Sequence, residues 1–374
     1  MRVLIAPDKF KGSLDATKVC QAIEEALHAT GKQYESNSIP MADGGEGTCD
    51  MLTTFSHGKK IKVLVCDPFF RTIEGEYGIS GDGKTAFVEM ATASGLQLLK
   101  PEERNALRGT TYGTGQLIAS ALEQGVTSII MGVGGSGTND GGIGMGEALG
   151  ARFYDSLGNS VKPVGESLKA IHSMDIRHLL PRVKEVNITA ICDVSNPLYG
   201  FNGAAYVFGP QKGATPEVVK FLDEGLRNLA AVVQNQLGID INFPGAGAGG
   251  GLGGGAKIFF DIQFQSGIKF LMDFVGLEEL VRQSDLIITG EGKMDEQTLS
   301  GKVVHGVAEL SRKYDKPLVV MVGKNELPPE KISLLGVTKV VALMDGKTSE
   351  KEALGSAYFL LKKRMAEEVI PFFL

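Results

Sequence analysis

The sequence has little to offer a nucleic acid or a membrane. Its formal net charge is −6, and no run of Lys and Arg is long enough to build the concentrated basic face that a phosphate backbone requires. No segment approaches the roughly 18–20 uninterrupted apolar residues of a membrane span. The opening MRVLIAPDKF lacks a basic stretch followed by a long apolar one, so no secretory signal is expected and a cytoplasmic location is. Cysteine is scarce: Cys20, Cys49, Cys66 and Cys192 form neither a C-x-x-C pair nor a zinc spacing, which predicts reduced thiols. There is no G-x-S-x-G elbow and no H-E-x-x-H helix, so hydrolase templates gain nothing. His57, His172 and His178 have no partners at catalytic or metal spacing.

What is abundant is glycine, 50 of 374 residues, about twice the average usage of around 7%. The glycines are bunched between short apolar strands and amphipathic helices. RVLIA (2–6) reads as a strand, PDKFKGS as a loop, and Ser13 as the cap of a helix whose apolar face carries Ala16, Val19, Cys20, Ile23 and Leu27. A helix is expected over 48–55. Near the other end, DLIITGEGKMD (285–295) reads as a strand ending in a glycine–acid loop. A helix over 303–314, strands over 317–323 and 338–345, and a last helix over 350–369 follow. This alternation predicts an α/β fold with a parallel sheet covered on both faces. The stretch from 59 to 91 reads instead as strands joined by short turns. A length of 374 residues favours two domains. The expected arrangement is a discontinuous Rossmann-like domain, 1–66 plus 285–374, with a mixed α/β domain, 67–284, inserted in it.

Five loops share one design, glycines beside an acid or a lysine: PDKFKGS (7–13), MADGGEG (41–47), GVGGSGTNDGGIG (132–144), CDVSNPLYG (192–200) and TGEGKMDEQTLSGK (289–302). Ligands of open α/β sheets collect at the carboxyl ends of strands. Glycine lets main-chain N–H groups approach an anion closely; acids hold magnesium or take a proton, and lysines neutralise phosphate. Each loop alone has a plain structural explanation. Asp8 and Lys9 can be a solvated turn with a surface ion pair, worth at most about 1 kcal/mol. Asp43, Asp193 and Asp295 can cap helices, and Arg71 can belong to a surface ion pair. The repetition of the design favours an enzyme that handles phosphate.

Two further stretches invite misreading. GAGAGGGLGGGAK (245–257) has a linker's composition, but its flanks INFPG and AKIFFDIQF look like packed structure, so an ordered loop close to a ligand or another backbone is expected. GISGDGKT (78–85) fits the phosphate-loop pattern. Alternating residues precede it, strand formers follow it, and Asp82-Gly83 is a hairpin signal. It reads as a hairpin, not a nucleotide site.

APDKFKGSL (6–14), ADGGEGT (42–48), GGSGTNDGG (134–142), CDVSNPLYG with GAAYVFGPQKG (192–213) and TGEGKMDEQTLSGK (289–302) closely resemble the type 1 bacterial glycerate kinases, from the first strand to the last helix. The resemblance implies transfer of the γ-phosphoryl group of ATP to D-glycerate, with 2-phosphoglycerate as the usual product, Mg2+ as the metal and the cytoplasm as the location. It also implies two different α/β domains with the site in the cleft between them. On that footing Gly134, Gly135, Ser136 and Gly137, with Gly290, Glu291 and Gly292, are expected to face the ATP phosphates, and Lys9, Lys11 and Lys293 to neutralise them. Asp193 is the expected base, Asp295 or Asp43 the expected magnesium ligand, and these acids may exchange roles. Arg71 and Asn196, with Asp8 and Ser13, are expected to grip the small carboxylate substrate. Both a monomer and a homodimer are compatible with the sequence. A phosphatase or phosphomutase, and a nucleotide-sensing regulator, are the alternatives from other classes.

Overall fold

The computed structural model describes residues 1–374 except Asp43, Gly44, Glu46, Gly301, Lys347, Leu374 and the side chain of Ser300. Thirteen strands run through the described residues: β1 (Arg2–Ile5), β2 (Glu35–Ser38), β3 (Lys59–Cys66), β4 (Thr72–Ile79), β5 (Thr85–Glu89), β6 (Ser128–Gly132), β7 (Arg152–Tyr154), β8 (Ser173–Asp175), β9 (Asn187–Ile191), β10 (Ile262–Gln265), β11 (Leu286–Met294), β12 (Leu318–Asn325) and β13 (Lys339–Ala342). The chain divides into two compact units, Met1–Asp43 with Gly267–Leu374, and Gly44–Ser266.

The first unit is built on a five-stranded sheet, ordered β13-β12-β11-β1-β2, with every neighbouring pair parallel. The runs VLI, LIIT and LVVMV are buried on both faces, as a parallel sheet between two helical layers demands. Val3, Ile5, Leu286, Ile288, Val319 and Met321 face the helices Ala16–His28 and Ala357–Arg364. The helix at 16–28 starts two residues later than a Ser13 cap implies. Asp15 is the N-cap and accepts from the Lys18 N–H, while the Ser13 hydroxyl donates to the Leu354 carbonyl. The expected final helix is interrupted: Glu350–Gly355 stops before Ser356, and Ala357–Arg364 passes through a wider turn at Met365–Val369.

The second unit carries a six-stranded sheet, ordered β10-β9-β6-β5-β4-β3. β5, β6, β9 and β10 are parallel, and β3 and β4 extend the sheet antiparallel. Glu89, Gly132, Ile191 and Gln265 therefore end their strands on one common edge. Its core gathers Val88, Ile129, Met131, Ile188 and Ala190 with helical residues such as Leu117, Leu226 and Leu252. GISGDGKT is the β4–β5 hairpin: Gly78 faces Phe87 and Ile79 faces Ala86, and Gly83 turns at φ +73°. The glycine stretch is ordered and buried except for Lys257, ending in the helix Leu252–Phe259.

The unit boundaries differ from those expected near 66 and 285. β3 pairs with β4 along its whole length, and the helix Thr48–Phe55 packs on β4 and β5, so 44–66 belong to the second unit. The helix Leu277–Gln283 packs on β1, and Gly267–Phe274 packs on Val303–Lys313, which places 267–284 in the first.

Candidate active-site residues

In the second unit, β6 feeds a loop whose backbone is set by glycine, with φ of +72° at Gly135, +62° at Gly141 and +78° at Gly142. It is pinned at Gly135 and Gly137 by the residues on either side of Gly95: Leu96 N–H donates to Gly135 O, and Gly137 N–H donates to Ser94 O, both at 2.8 Å. The Gly137 N–H is thus taken and cannot serve an anion, contrary to expectation. The N–H groups of Gly134, Gly135 and Ser136 have no partner among the described residues, and Gly134 and Gly135 are exposed. Gly134 and Gly135 line a cavity with Gly45, Glu89, Ala91, Gln97 and Gly132. Glu89 closes one side; its Oε1 accepts the N–H groups of Gly47 (3.1 Å) and Cys49 (2.8 Å) at the start of the helix Thr48–Phe55.

Beneath this loop lies a lysine that local sequence does not announce, and the loop itself buries an acid. Lys212, 1% exposed, donates through Nζ to Ser136 Oγ at 2.7 Å and to Thr138 O at 2.6 Å. Burial draws its ammonium down to about 7, with Asp140 opposing. Asp140 is fully buried and accepts from Thr111 N, Thr111 Oγ1, Gly142 N and Gly144 N; burial still pushes its carboxyl above the usual range. Asn139 is fully buried too, and neither polar atom of its amide makes a hydrogen bond among the described residues.

Asp193 follows β9 and is exposed. Asn196 donates from Nδ2 to Asn202 O at 2.7 Å, and its carbonyl accepts from Gly245 and Gly247, so it braces its own loop against the glycine stretch. Arg71 is committed to two carboxylates, Asp67 and Glu103 (3.0 Å to the latter), and fits the ion-pair alternative. Arg104 and Arg108, which the sequence did not single out, have no side-chain partner among the described residues, and the Nε of Arg104 is buried. Their segment touches the loop: a β-carbon on Gly109 would lie 2.9 Å from Gly137 O.

In the first unit, the loop after β1 carries Asp8, nearly buried, whose N–H donates to Gly290 O at 2.8 Å. Asp8 Oδ1 accepts the Lys9 N–H at 2.7 Å; Lys9 is half-buried and Lys11 exposed. The expected loop at Gly290–Gly292 is strand. β11 continues through it, with Gly290 opposite Met321 and Glu291 opposite Val322. Its glycines serve close packing, since a β-carbon at Gly290 would stand 2.1 Å from Met321 O and one at Gly292 2.8 Å from Lys11 N.

Glu291 is 6% exposed and accepts from Thr298 Oγ1 at 2.6 Å. Burial pushes its carboxyl up to about 7; Thr298 and Lys302 oppose this, while Asp8 and Asp295 add to it. Asp295 accepts from Gln297 N at 2.9 Å, which holds its carboxyl low, and lies 3.3 Å from Lys293 Nζ. Lys293 also pairs with Glu326 at 2.8 Å. Asp43 lies outside the described residues. Among the described residues no three His, Cys, Asp or Glu side chains converge as a metal cage.

In each unit the parallel strands bring acids or glycines to the loops at their carboxyl ends, an α/β construction in which ligand sites lie at those ends. The Glycerate kinase family profile matches residues 3–373, and the chain belongs to that family. It is 42% identical over 359 residues to "Glycerate 2-kinase" of Escherichia coli (strain K12), covering 96% of this chain and 94% of that one. It is 45% identical over 324 residues to "Glycerate kinase" of Haemophilus influenzae, covering 86% of each. The fold superposes with a TM-score of 0.87 on the crystal structure of "putative glycerate kinase 2" from Salmonella typhimurium LT2, at 38% identity over the whole of both chains.

Proposed function

We propose that the protein transfers the γ-phosphoryl group of ATP to D-glycerate, giving 2-phosphoglycerate and ADP, in the cytoplasm and as a monomer or homodimer. The observation that carries this reading is the end-to-end similarity to a protein named for phosphorylation at the 2-position. Among the described residues, no helix is long and apolar enough to cross a membrane.

Phosphoryl transfer needs positioning, charge neutralisation and a proton acceptor rather than covalent chemistry from the protein. In this proposal the open N–H groups of Gly134, Gly135 and Ser136 receive ATP phosphate oxygens. Lys9 and Lys11 supply positive charge, and Asp193 takes the proton of the glycerate hydroxyl. Mg2+ needs only one or two carboxylates beside phosphate oxygens and water. Asp8 and Asp295, both of which act on the Glu291 carboxyl in the first unit, are hard oxygen donors that fit it, and Asp295 with Asp8 would hold it. A bound ion would supply neutralisation of phosphate charge there. Arg104 and Arg108, free of carboxylates, are better placed than Arg71 to grip the carboxylate of the substrate through their planar forks.

A coupled assay for ADP, with and without D-glycerate, tests the reaction. ADP release that depends on D-glycerate, with a product whose phosphorus couples to the proton on C2, is the expected outcome. ADP release without glycerate, or a 3-phosphorylated product, overturns the reading or its regiochemistry.

A further inference from the structure

Lys212 is an odd residue to bury. A methionine has similar length and would fill the same space without losing hydration, whereas an ammonium removed from water is costly unless hydrogen-bonded. Its two described partners, Ser136 Oγ and Thr138 O, both belong to the glycine loop, so the whole hydrogen-bonding effort of the buried cation is directed at that loop from below. Ser136 is the residue where the two sides meet. Ser136 is 8% exposed, its N–H has no hydrogen-bond partner among the described residues, its side chain accepts from Lys212, and its neighbours Gly134 and Gly135 line the cavity.

A serine hydroxyl has one hydrogen to donate and lone pairs to accept with. Lys212 occupies the accepting side, so the hydroxyl hydrogen is available to an acceptor elsewhere, and a donor that is itself receiving a hydrogen bond donates more strongly. We infer that Lys212 and Ser136 form a two-step relay, Lys212 Nζ–H to Ser136 Oγ–H to a phosphate oxygen, in which Ser136 contacts the nucleotide and Lys212 positions and polarises it. The inference rests on the reading that this loop receives ATP phosphates. Burial draws the Lys212 ammonium down to about 7, with Asp140 as the opposing influence. An arriving anion favours the charged form, and the relay tightens as the ligand binds.

The test is a double-mutant cycle read by calorimetric ATP binding and by KM for ATP and D-glycerate separately. Ser136→Ala and Lys212→Met should each weaken ATP binding by roughly ten-fold or more, as expected when a hydrogen bond to a charged group is lost. KM for D-glycerate should stay within two-fold. The double variant should bind no more weakly than the poorer single one, because both substitutions break one chain of hydrogen bonds. Additive losses, or Ser136→Ala binding ATP like the parent, overturn the relay. Gly135→Val separates the two levels. If it weakens ATP binding while Ser136→Ala does not, the relay falls alone; if neither does, the loop's role falls and the relay with it. Ser136→Ala removes only one oxygen, so the cycle keeps a well-folded arm if Lys212→Met proves unstable.

Discussion

Gly250 stands against Thr138 so closely that a β-carbon on it would lie 1.9 Å from the Thr138 carbonyl oxygen, the oxygen that also receives Lys212. Gly250 has φ +70° as well. Gly158 offers the comparison: φ is +82°, but nothing lies within 4 Å of its would-be β-carbon. Gly158→Ala should therefore cost only the left-handed penalty, about 1–2 kcal/mol. Gly250→Ala adds a backbone clash, worth roughly 1–3 kcal/mol more. Urea unfolding of both variants checks this; equal losses would mean the contact is relieved without strain.

Asp193→Asn should lower turnover by about two to four orders of magnitude while the protein stays folded. Steady-state kinetics with a melting curve on the same sample reads both. Turnover near the parent's would remove Asp193 from the role of base.

Arg71→Met and Arg108→Met should part company. Arg71 is held by Asp67 and Glu103, and its loss should show mainly in stability. Arg108 has no such partners among the described residues, and its loss should raise KM for D-glycerate by about ten-fold or more, in line with a lost hydrogen bond to a charged group. The opposite pattern would return the substrate carboxylate to Arg71.

Lys212 makes stability depend on pH with a definite sign. Its folded value is about 7, against about 10.4 for an ordinary lysine. Between those values the unfolded chain holds a proton that the folded chain lacks, so unfolding takes up a proton and stability rises with pH. Below 7 both states are charged and this contribution is flat. The denaturation midpoint of the parent should therefore climb relative to Lys212→Met from pH 7 to pH 10. A constant difference would put the ammonium at its ordinary value.

How far the sequence carried can be argued from three stretches. GISGDGKT was legible as a hairpin because alternation and an Asp-Gly turn are local signals, and the structure joins β4 to β5 there. Lys84→Ala should accordingly leave ATP affinity unchanged, which a binding titration will show. TGEGKM was misread as a loop because glycine beside an acid looks the same whether it bends the chain or makes room for a neighbour. Gly290 makes room for Met321, a residue 31 positions on. Lys212 lay inside a recognised stretch yet went unmarked, since nothing local says a lysine is buried; its partners are 74 and 76 residues away. Strands and turns are written locally, and the company a side chain keeps is not.

The position of β1 between β2 and β11 sets the timetable of the protein's assembly. Val3 pairs with Leu286 and Ile5 with Ile288, about 280 residues later in synthesis. At about 5–20 residues per second, β1 waits on the order of a quarter of a minute to a minute for that neighbour. Meanwhile the segment 44–266, which has a core of its own, is complete. β1 is made long before its neighbour β11, so the growing chain is exposed to aggregation at Val3, Leu4 and Ile5, and refolding should be slowest at the closing of that strand.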